Sequence, residues 1–436
     1  MTIPTLQGLQ TALSGLIAEQ TALDVTGNNI ANANTEGFSR ETAVLQPNPP
    51  LDIPALSTLT GQGAQLGTGV GVASITRIRN VYLDAQYRAQ NSALSNSSTQ
   101  AEVLQQAQAA FNEPSSAGIA SRLSAFFSAW NSLASAPTSE AAKDAVVAAG
   151  EQLTASFHAL NTQLTTIAGQ AGEQYKALTG VGGEVENDAH QIAELNSQIK
   201  LAEQAGQKPN QMLDRRDLLL DKLSSLANVT VSEQPDHTDT VSFGDAAKPL
   251  VEGSTVNWPQ ALTEAAGGTL GALLDLTGAK GALTGLQTGL DGVAEALAGT
   301  VNEHLPAPFF SGKGAGEIAV ALKASEVSAS GGKSAGGNEV AQAIAALRGG
   351  VAEQGYAALV EKVGSDVQNT KDDQANLQTT VTAINDQRQE VSGVSLDEEM
   401  TNLVTFQRGY QASARTLSAM DEMLETLIEH TGRVGL

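Results

Sequence analysis

The sequence predicts a mainly α-helical protein with a small β-rich insert, in which long N- and C-terminal helices pair in coiled-coil fashion and carry helical and β domains outward. Three observations predict it. Both ends of the chain repeat apolar residues every seven positions, the middle holds long stretches at helical spacing, and β-favouring pieces cluster between residues 228 and 262. Composition agrees: of 436 residues, 41% are hydrophobic but only 4% aromatic and 16% charged. The apolar material is small and aliphatic, as suits helices packed side by side. At roughly 150 residues per domain, the length suggests about three domains.

Residues 1–45 hold the first heptad helix and the motif that follows it. Positions 6, 9, 13, 16, 20, 23, 27 and 30 carry Leu6, Leu9, Leu13, Leu16, Gln20, Leu23, Gly27 and Ile30. Leu9, Leu16, Leu23 and Ile30 are spaced by strict sevens, which is the narrow seam of a coiled coil rather than the broad stripe of an ordinary globular helix. Asn32, Asn34 and Gly37 then supply turn chemistry and an exit. Residues 46–82 contain PNPP and GQGAQLGTGVGV, which predicts extended chain and turns with one short strand near Val70 to Ile78.

Helical spacing persists over residues 83–227. Ile119, Leu123, Phe126, Phe127, Trp130 and Leu133 mark one helix face, and Leu213, Leu218, Leu220 and Leu223 contribute to another. Residues 228–262 form the β-rich insert, where NVTVSEQ, DTVSFGD, PLVEG and STVNW are cut by turns. A helical return over 263–392 includes a helix through Leu286 to Val301 and a Gly/Ser-rich stretch, SGKGAGE to SASGGKSAGG, that predicts loop. Residues 393–436 hold the second heptad helix, with Leu396, Glu399, Leu403, Phe406, Tyr410, Ser413, Leu417, Met420, Leu424 and Leu427 on its seam. At ~1.5 Å per residue the two seams are about 38 and 48 Å long, which lets them lie together as a helical hairpin.

Charge and composition exclude several functions. Lys and Arg number 24 against 47 Asp and Glu, a net charge of -23, which disfavours nucleic-acid phosphates and anionic membrane surfaces as partners. Cysteine is absent, so there is no disulfide framework, thiolate metal cage or cysteine nucleophile. The opening MTIPTLQGLQTALSG has no Lys, Arg or unbroken apolar run, so neither a cleaved signal peptide nor a membrane anchor is expected. Nor does the chain offer the ~20 apolar residues needed to cross a bilayer. Export would need a route without a cleaved signal.

Candidate chemistry is sparse. Gly332-Lys333-Ser334-Ala335-Gly336 matches the G-x-S-x-G elbow of serine hydrolases, but it sits in a low-complexity stretch with only His430 following it. A hydrolase at Ser334 is the enzymatic alternative. Gly332-Lys333-Ser334 also resembles the tail of a phosphate loop, yet Val327 stands where that motif requires glycine. Gly312, Gly314 and Gly316 lack a strand-then-helix context. His158, His190, His237, His304 and His430 are never close enough in sequence to pair as ligands, and read as solvated or helix-surface residues. Asp236 and Asp239 flank His237 in what a turn between strands explains. No catalytic residue, metal ligand or cofactor is assigned.

The segment Ala31-Asn32-Ala33-Asn34-Thr35-Glu36-Gly37-Phe38 resembles the signature of the bacterial flagellar axial proteins, which comprise rod, hook and hook-associated proteins. Phe38 stands where that family usually has tyrosine. Three further stretches resemble the family of hook-filament junction proteins, the first hook-associated proteins. These are Asn112-Glu113-Pro114-Ser115 with the Phe126-Phe127 helix, Leu213-Asp214-Arg215-Arg216-Asp217 with LLLDKLSSLANVTV, and the C-terminal GVSLDEEMTNLVTFQRGYQASARTLSAMDEMLETLI. From about 228 to 345 the resemblance is weak.

The resemblance implies a structural, non-enzymatic protein, exported by the flagellar type III apparatus and placed outside the cell as a layer between hook and filament. It implies self-association in a ring or layer, contact with the hook protein and the next hook-associated protein, and an export chaperone on the C-terminal helix. The assembly interface it implies comprises Leu9, Leu16, Leu23, Ile30, Asn32, Asn34, Gly37 and Phe38 with Leu396, Leu403, Phe406, Tyr410, Leu417, Met420 and Leu424. Two other classes remain: another axial protein, such as hook or distal rod, and a secreted adhesin. A helical middle over about 83–227 favours the junction protein, and a β-dominated one the hook protein.

Overall fold

A computed structural model describes residues 5–53, 64–330 and 336–430. The first helix, α1 (Thr5–Asn32), leads through a turn into β1 (Glu41–Pro47), β2 (Leu51–Ile53), β3 (Ala64–Leu66) and β4 (Val70–Arg77). These strands form two antiparallel pairs, β1 with β4 and β2 with β3, with a register shift between Val44 and Leu45. Extended chain with a single strand was expected here. Pairing corrects that, because a ladder satisfies backbone groups that a lone strand would leave to solvent.

Five helices follow: α2 (Val81–Phe111), α3 (Ile119–Ser135), α4 (Glu140–Thr179), α5 (Glu184–Gln204) and α6 (Asn210–Leu226). Local chemistry sets two of the starts, since Asn80 accepts from the Tyr82 and Leu83 amides and Ser139 from that of Ala142. The middle is therefore helical rather than β-dominated. A four-stranded antiparallel meander comes next, built in order from β5 (Val229–Glu233), β6 (Asp239–Phe243), β7 (Val251–Glu252) and β8 (Thr255–Val256). The chain returns through α7 (Gly268–Thr277), α8 (Ala282–Asn302), β9 (Phe310–Ser311), α9 (Gly314–Glu317), β10 (Ala319–Val320), α10 (Glu339–Ala345), α11 (Val351–Ser392) and α12 (Leu396–His430).

Two hydrophobic cores cut across the segments read from the sequence. The first joins α2, α3 and α4 to α8, α10 and α11. Ile119, Leu123, Phe126, Phe127, Trp130 and Leu133 are all buried in it, and the Phe126 ring lies 5.6 Å from Phe309 and 5.4 Å from Phe310. The second joins α5, α6, the meander and the start of α7, with Leu220, Leu223, Val241, Phe243 and Val251 inward. The segments mix because α11 runs back along α2. Tyr356 meets Phe111 near one end, the Ser97 hydroxyl donates to the Thr370 carbonyl midway, and Arg388 pairs with Asp84 near the other.

Three finer expectations change. SGKGAGE packs as a tight turn rather than a loop: Phe310, Ala315 and Ile318 are buried, Asn302 bonds the backbone of Phe309 and Phe310, and Asp291 accepts from the Ala315 amide. His158 is not merely solvated, because its Nε2 lies 2.8 Å from the Ile318 carbonyl. Leu218 turns away from the core, as described below. Ser334, the hydrolase candidate, lies outside the described residues.

Candidate assembly interface

The two terminal helices form an antiparallel hairpin in constant register. Gly8 faces Met420, Gly15 faces Ser413, Glu19 faces Gly409, and Asn29 bonds to Glu399. Ala22, only 2% exposed, shares a small cleft with Phe406. The α1 side of this seam is thus Gly8, Gly15, Ala22 and Asn29, spaced by sevens.

Small residues there let the backbones approach. A Cβ on Gly15 would sit 3.2 Å from Ser413 Oγ, and one on Gly409 would lie 2.6 Å from the Glu19 carboxyl. Glycine inside a helix costs about 0.5–1 kcal/mol relative to alanine, and close approach is what offsets that cost. At the far end Asn29 acts as a clamp: its amide donates to the Glu41 carbonyl (2.9 Å) and to Glu399 (3.1 Å), while its oxygen accepts from the Glu41 amide (2.9 Å). The strand pair β1–β4 braces α1 from the side, with the Val70 amide donating to Ser14 Oγ at 3.3 Å.

The expected leucine seam is therefore displaced by one residue, roughly 100° around the helix. Leu9, Leu16, Leu23 and Ile30 are half-buried beside the seam, and Leu13 and Ile17 are 43% and 53% exposed. On α12 the expected positions Leu403, Phe406, Tyr410, Leu417, Met420 and Leu424 do lie on the half-buried side. Leu396 does not, being exposed, and Met400, Val404 and Met423 form a further exposed apolar set. The side chains of Leu6 and Leu427 lie outside the described residues.

The turn after α1 is held by its own polar groups. The Asn32 amide donates to the Asn28 carbonyl at 3.0 Å, and the Thr35 hydroxyl donates to Asn32 Oδ1. Asn34 is exposed and Phe38 half-buried. Gly37 has φ +79, and a side chain there would begin 3.3 Å from Leu218. Leu218 consequently seats the turn on α6, which is why it leaves the core face to Leu219, Leu220 and Leu223.

Behind the turn lies an ionic junction. Ser39 donates through its amide and hydroxyl to Asp214. Arg77 pairs with Asp214 (2.7 Å) and Asp217 (2.8 Å), Arg79 with Asp84 (2.8 Å), and Arg88 with Asp221 (2.7 Å) and Asp217 (3.3 Å). Arg388 reaches Asp84 (2.8 Å) and Asp221 (2.7 Å) and lies over the Tyr87 ring, while Arg40 holds Glu398 (2.7 Å) and Glu399 (2.8 Å). Burial alone would raise the Asp217 carboxyl, but Arg79, Arg77 and Arg88 outweigh it and hold that group below the ordinary range. The network ties β4, α2, α6, α11 and α12 together where hairpin meets body. Sequence reasoning missed it, although Asp214, Asp217 and Asp221 share one face of α6, and Arg77 ends β4 with Arg79 two residues beyond it.

Among the described residues no cluster of His, Asp and Glu could hold a metal ion, and no helix is long and apolar enough to cross a membrane. The arrangement offers surfaces and struts.

Known proteins match the same parts. The model of the flagellar hook-associated protein FlgK helical domain matches residues 104–266. That of flagella basal body rod proteins matches 9–38, and that of the C-terminal region of flagellar basal body rod FlgEFG proteins matches 386–429. Flagellar hook-associated protein 1 of Bacillus subtilis is 30% identical over 505 aligned residues, spanning 98% of this chain and 99% of that protein. The chain belongs to the flagellar hook-associated protein 1 family. The Salmonella typhimurium hook-associated protein 1 is 32% identical over 246 residues, which span 56% of this chain and 42% of that protein. A solved structure, the flagellar hook junction protein FlgK from Burkholderia pseudomallei, covers 50% of this chain and 43% of its own at TM-score 0.45 and 25% identity. As a hook-associated protein the chain is a structural component of the flagellar axis and associates with other axial proteins. The two rod-protein matches fall on the hairpin, and the helical-domain match falls on the body.

Proposed function

We propose that this hook-associated protein forms the layer between hook and filament, with copies meeting through the outward faces of their hairpins. The observation that carries the reading is the half-used hairpin. Leu9, Leu16, Leu23 and Ile30 on α1, with Leu396, Met400 and Val404 on α12, keep apolar surface that the chain itself does not cover. A neighbouring copy in a ring or layer covers it, the hook protein lies below, and the next hook-associated protein lies above. Asn32, Asn34, Gly37 and Phe38 set the angle at which the hairpin leaves the body.

Export fits this picture. A chain without cysteine can pass unfolded through the type III apparatus with no disulfide to obstruct it, and the hairpin then orders fully as neighbours bury its faces. Before export, the α12 seam is an aggregation hazard unless covered. An export chaperone contacting Leu403, Phe406, Tyr410, Leu417 and Leu424 covers it. Because α1 packs on the same side of α12, chaperone and α1 compete, and release of the chaperone lets the hairpin close.

The test is electron microscopy of flagella from a strain deleted for this gene, with filament subunit assayed in the medium. Hooks lacking filaments, with subunit lost outside, are the expected result. Normal filaments overturn the reading.

A further inference from the structure

Read along its alternating spacing of four and three, the α1 seam holds Gly8, Ala12, Gly15, Glu19, Ala22, Thr26 and Asn29. Glu19 is the one ionisable residue among them. Its carboxyl lies against Gly409 of α12 with Oε2 buried, and no hydrogen bond or ion pair reaches it among the described residues. On α12 its neighbours are Arg408, which is exposed, and Tyr410, and neither bonds to it. The only other charge on α1 is Asp24, also exposed. The strands that brace α1, β1 and β4, bring only Glu41, which accepts from Asn28, and Arg77, which pairs with Asp214 and Asp217. An ionised carboxylate taken into a helix seam is costly unless it is paired. Burial accordingly raises the pKa of Glu19, with no neighbouring charge opposing it.

The hairpin differs on the two sides of this residue. Towards the body, Ala22, Val25, Thr26, Asn29 and Glu399 are buried, Asn29 and Arg40 both hold Glu399, and the cleft left over measures only about 60 Å³. Away from the body, no residue from Tyr410 to Thr426 makes a hydrogen bond or ion pair outside α12 among the described residues. There a cleft of about 380 Å³ opens between Thr11 and Ala12 of α1, Leu66 of β3, and Ser413 and Met420 of α12. In this outer half α1 is still held by β4, through Ser14 and Val70, so the loosely attached partner is α12.

We infer that Glu19 sets a break in the hairpin: the half next to the body is closed in the isolated chain, while α12 beyond Gly409 stands off α1 and presents Tyr410, Leu417 and Leu424 to the export chaperone. The identity of that partner rests on the export reading above, and the break itself does not. Closing the outer half brings together little more than Gly8, Gly15, Ser413 and Met420, so one unpaired carboxylate is enough to oppose it. A single charged residue in a helix seam acts in this way as a specificity device, obtained at a cost in stability. The fully closed hairpin is then the state of the assembled chain.

Hydrogen exchange on the purified full-length chain tests the break. In wild type at pH 7, amides of residues 410–425 should exchange faster than those of 397–408. Glu19→Gln and Glu19→Ala should each raise the protection of 410–425 about tenfold, within the range set by the cost of a buried polar group left without its partner. Asp24→Asn, which removes an equal charge from the exposed side of α1, should not. Because the carboxyl binds its proton more tightly in the closed hairpin, the difference between wild type and Glu19→Gln should vanish as pH falls towards the ordinary value of 4.5. Unchanged protection of α3 in every variant shows that the body is folded. Equal exchange in wild type and both Glu19 variants overturns the inference. So does an Asp24→Asn effect as large as theirs, which would assign the opening to the net charge of α1. Failure of the export reading is separate: Glu19→Gln would close the outer half, upholding the break, yet the chain would reach the medium at the wild-type level.

Discussion

Helix α3 buries Leu123, Phe126, Trp130 and Leu133 completely, whereas α12, twice its length, buries only Glu399 among its described side chains. The body closes around aromatic rings supplied by α3 and the chain near Phe309. The hairpin closes around glycine, alanine, serine and an Asn–Glu clamp, and its larger residues stay half-covered. The difference separates a unit that completes its own core from one that leaves part of its apolar surface uncovered by the chain. Between them stands the arginine–aspartate junction, which transmits the position of one to the other.

The sharpest way to break the comparison is to cut the body core. Phe126→Ala should destabilise the isolated subunit by about 3–5 kcal/mol, the usual cost of a buried phenylalanine, read as a drop in the denaturant midpoint. The junction should matter less. In Asp217→Ala each of Arg77, Arg79 and Arg88 keeps another carboxylate, so the loss should stay near the ~1.5–3 kcal/mol of a charged hydrogen bond. Its pH signature follows from the lowered pKa. Asp217 binds its proton more weakly folded than unfolded, so its contribution is complete above the unfolded value of 3.8 and is lost as pH falls through the folded value. Acid unfolding of wild type should therefore contain a component that Asp217→Asn lacks.

In the hairpin the balance should invert. Leu417→Asp, at a half-buried seam position where a fully buried leucine would contribute about 1.5–3 kcal/mol, should leave the thermal unfolding of the body unchanged yet block filament assembly. Normal filaments from that variant would show that the hairpin is not the joining element. Hydrogen exchange on the isolated subunit should divide along the same line, fast in α1 and α12 and slow in α3 and α4. The smallest effect is expected at Asp188. Its carboxyl is buried with Oδ2 unpartnered, and its pKa is raised by burial and by Glu184. Asp188→Asn should raise the melting temperature at pH 7 slightly and leave it unchanged at acid pH, where the carboxyl is already neutral.

Much of the architecture was legible in the residues. The seven-residue repeats marked both hairpin helices, the helically spaced Ile, Leu, Phe and Trp of residues 119–133 marked the main core, and turn-punctuated β segments marked the meander. The seam was misread because the rule looks for large apolar residues, while this hairpin closes on Gly8, Gly15, Ala22 and Asn29, which repeat with the same period one position earlier. The junction was not legible, since Asp214, Asp217 and Asp221 look like any solvated helix face until Arg77 and Arg79, Arg88, and Arg388 arrive from three places in the chain.

By itself, then, the sequence determined which stretches are helix, which are strand and that both ends repeat with the same seven-residue period, because these follow from spacing and local propensity. Only the tertiary structure decided which face of each terminal helix is used within the chain, which core each segment joins, and where the arginines find their carboxylates. Those outcomes depend on how closely backbones can approach and on desolvated charges meeting across long sequence separations, and neither is written in any local window of residues.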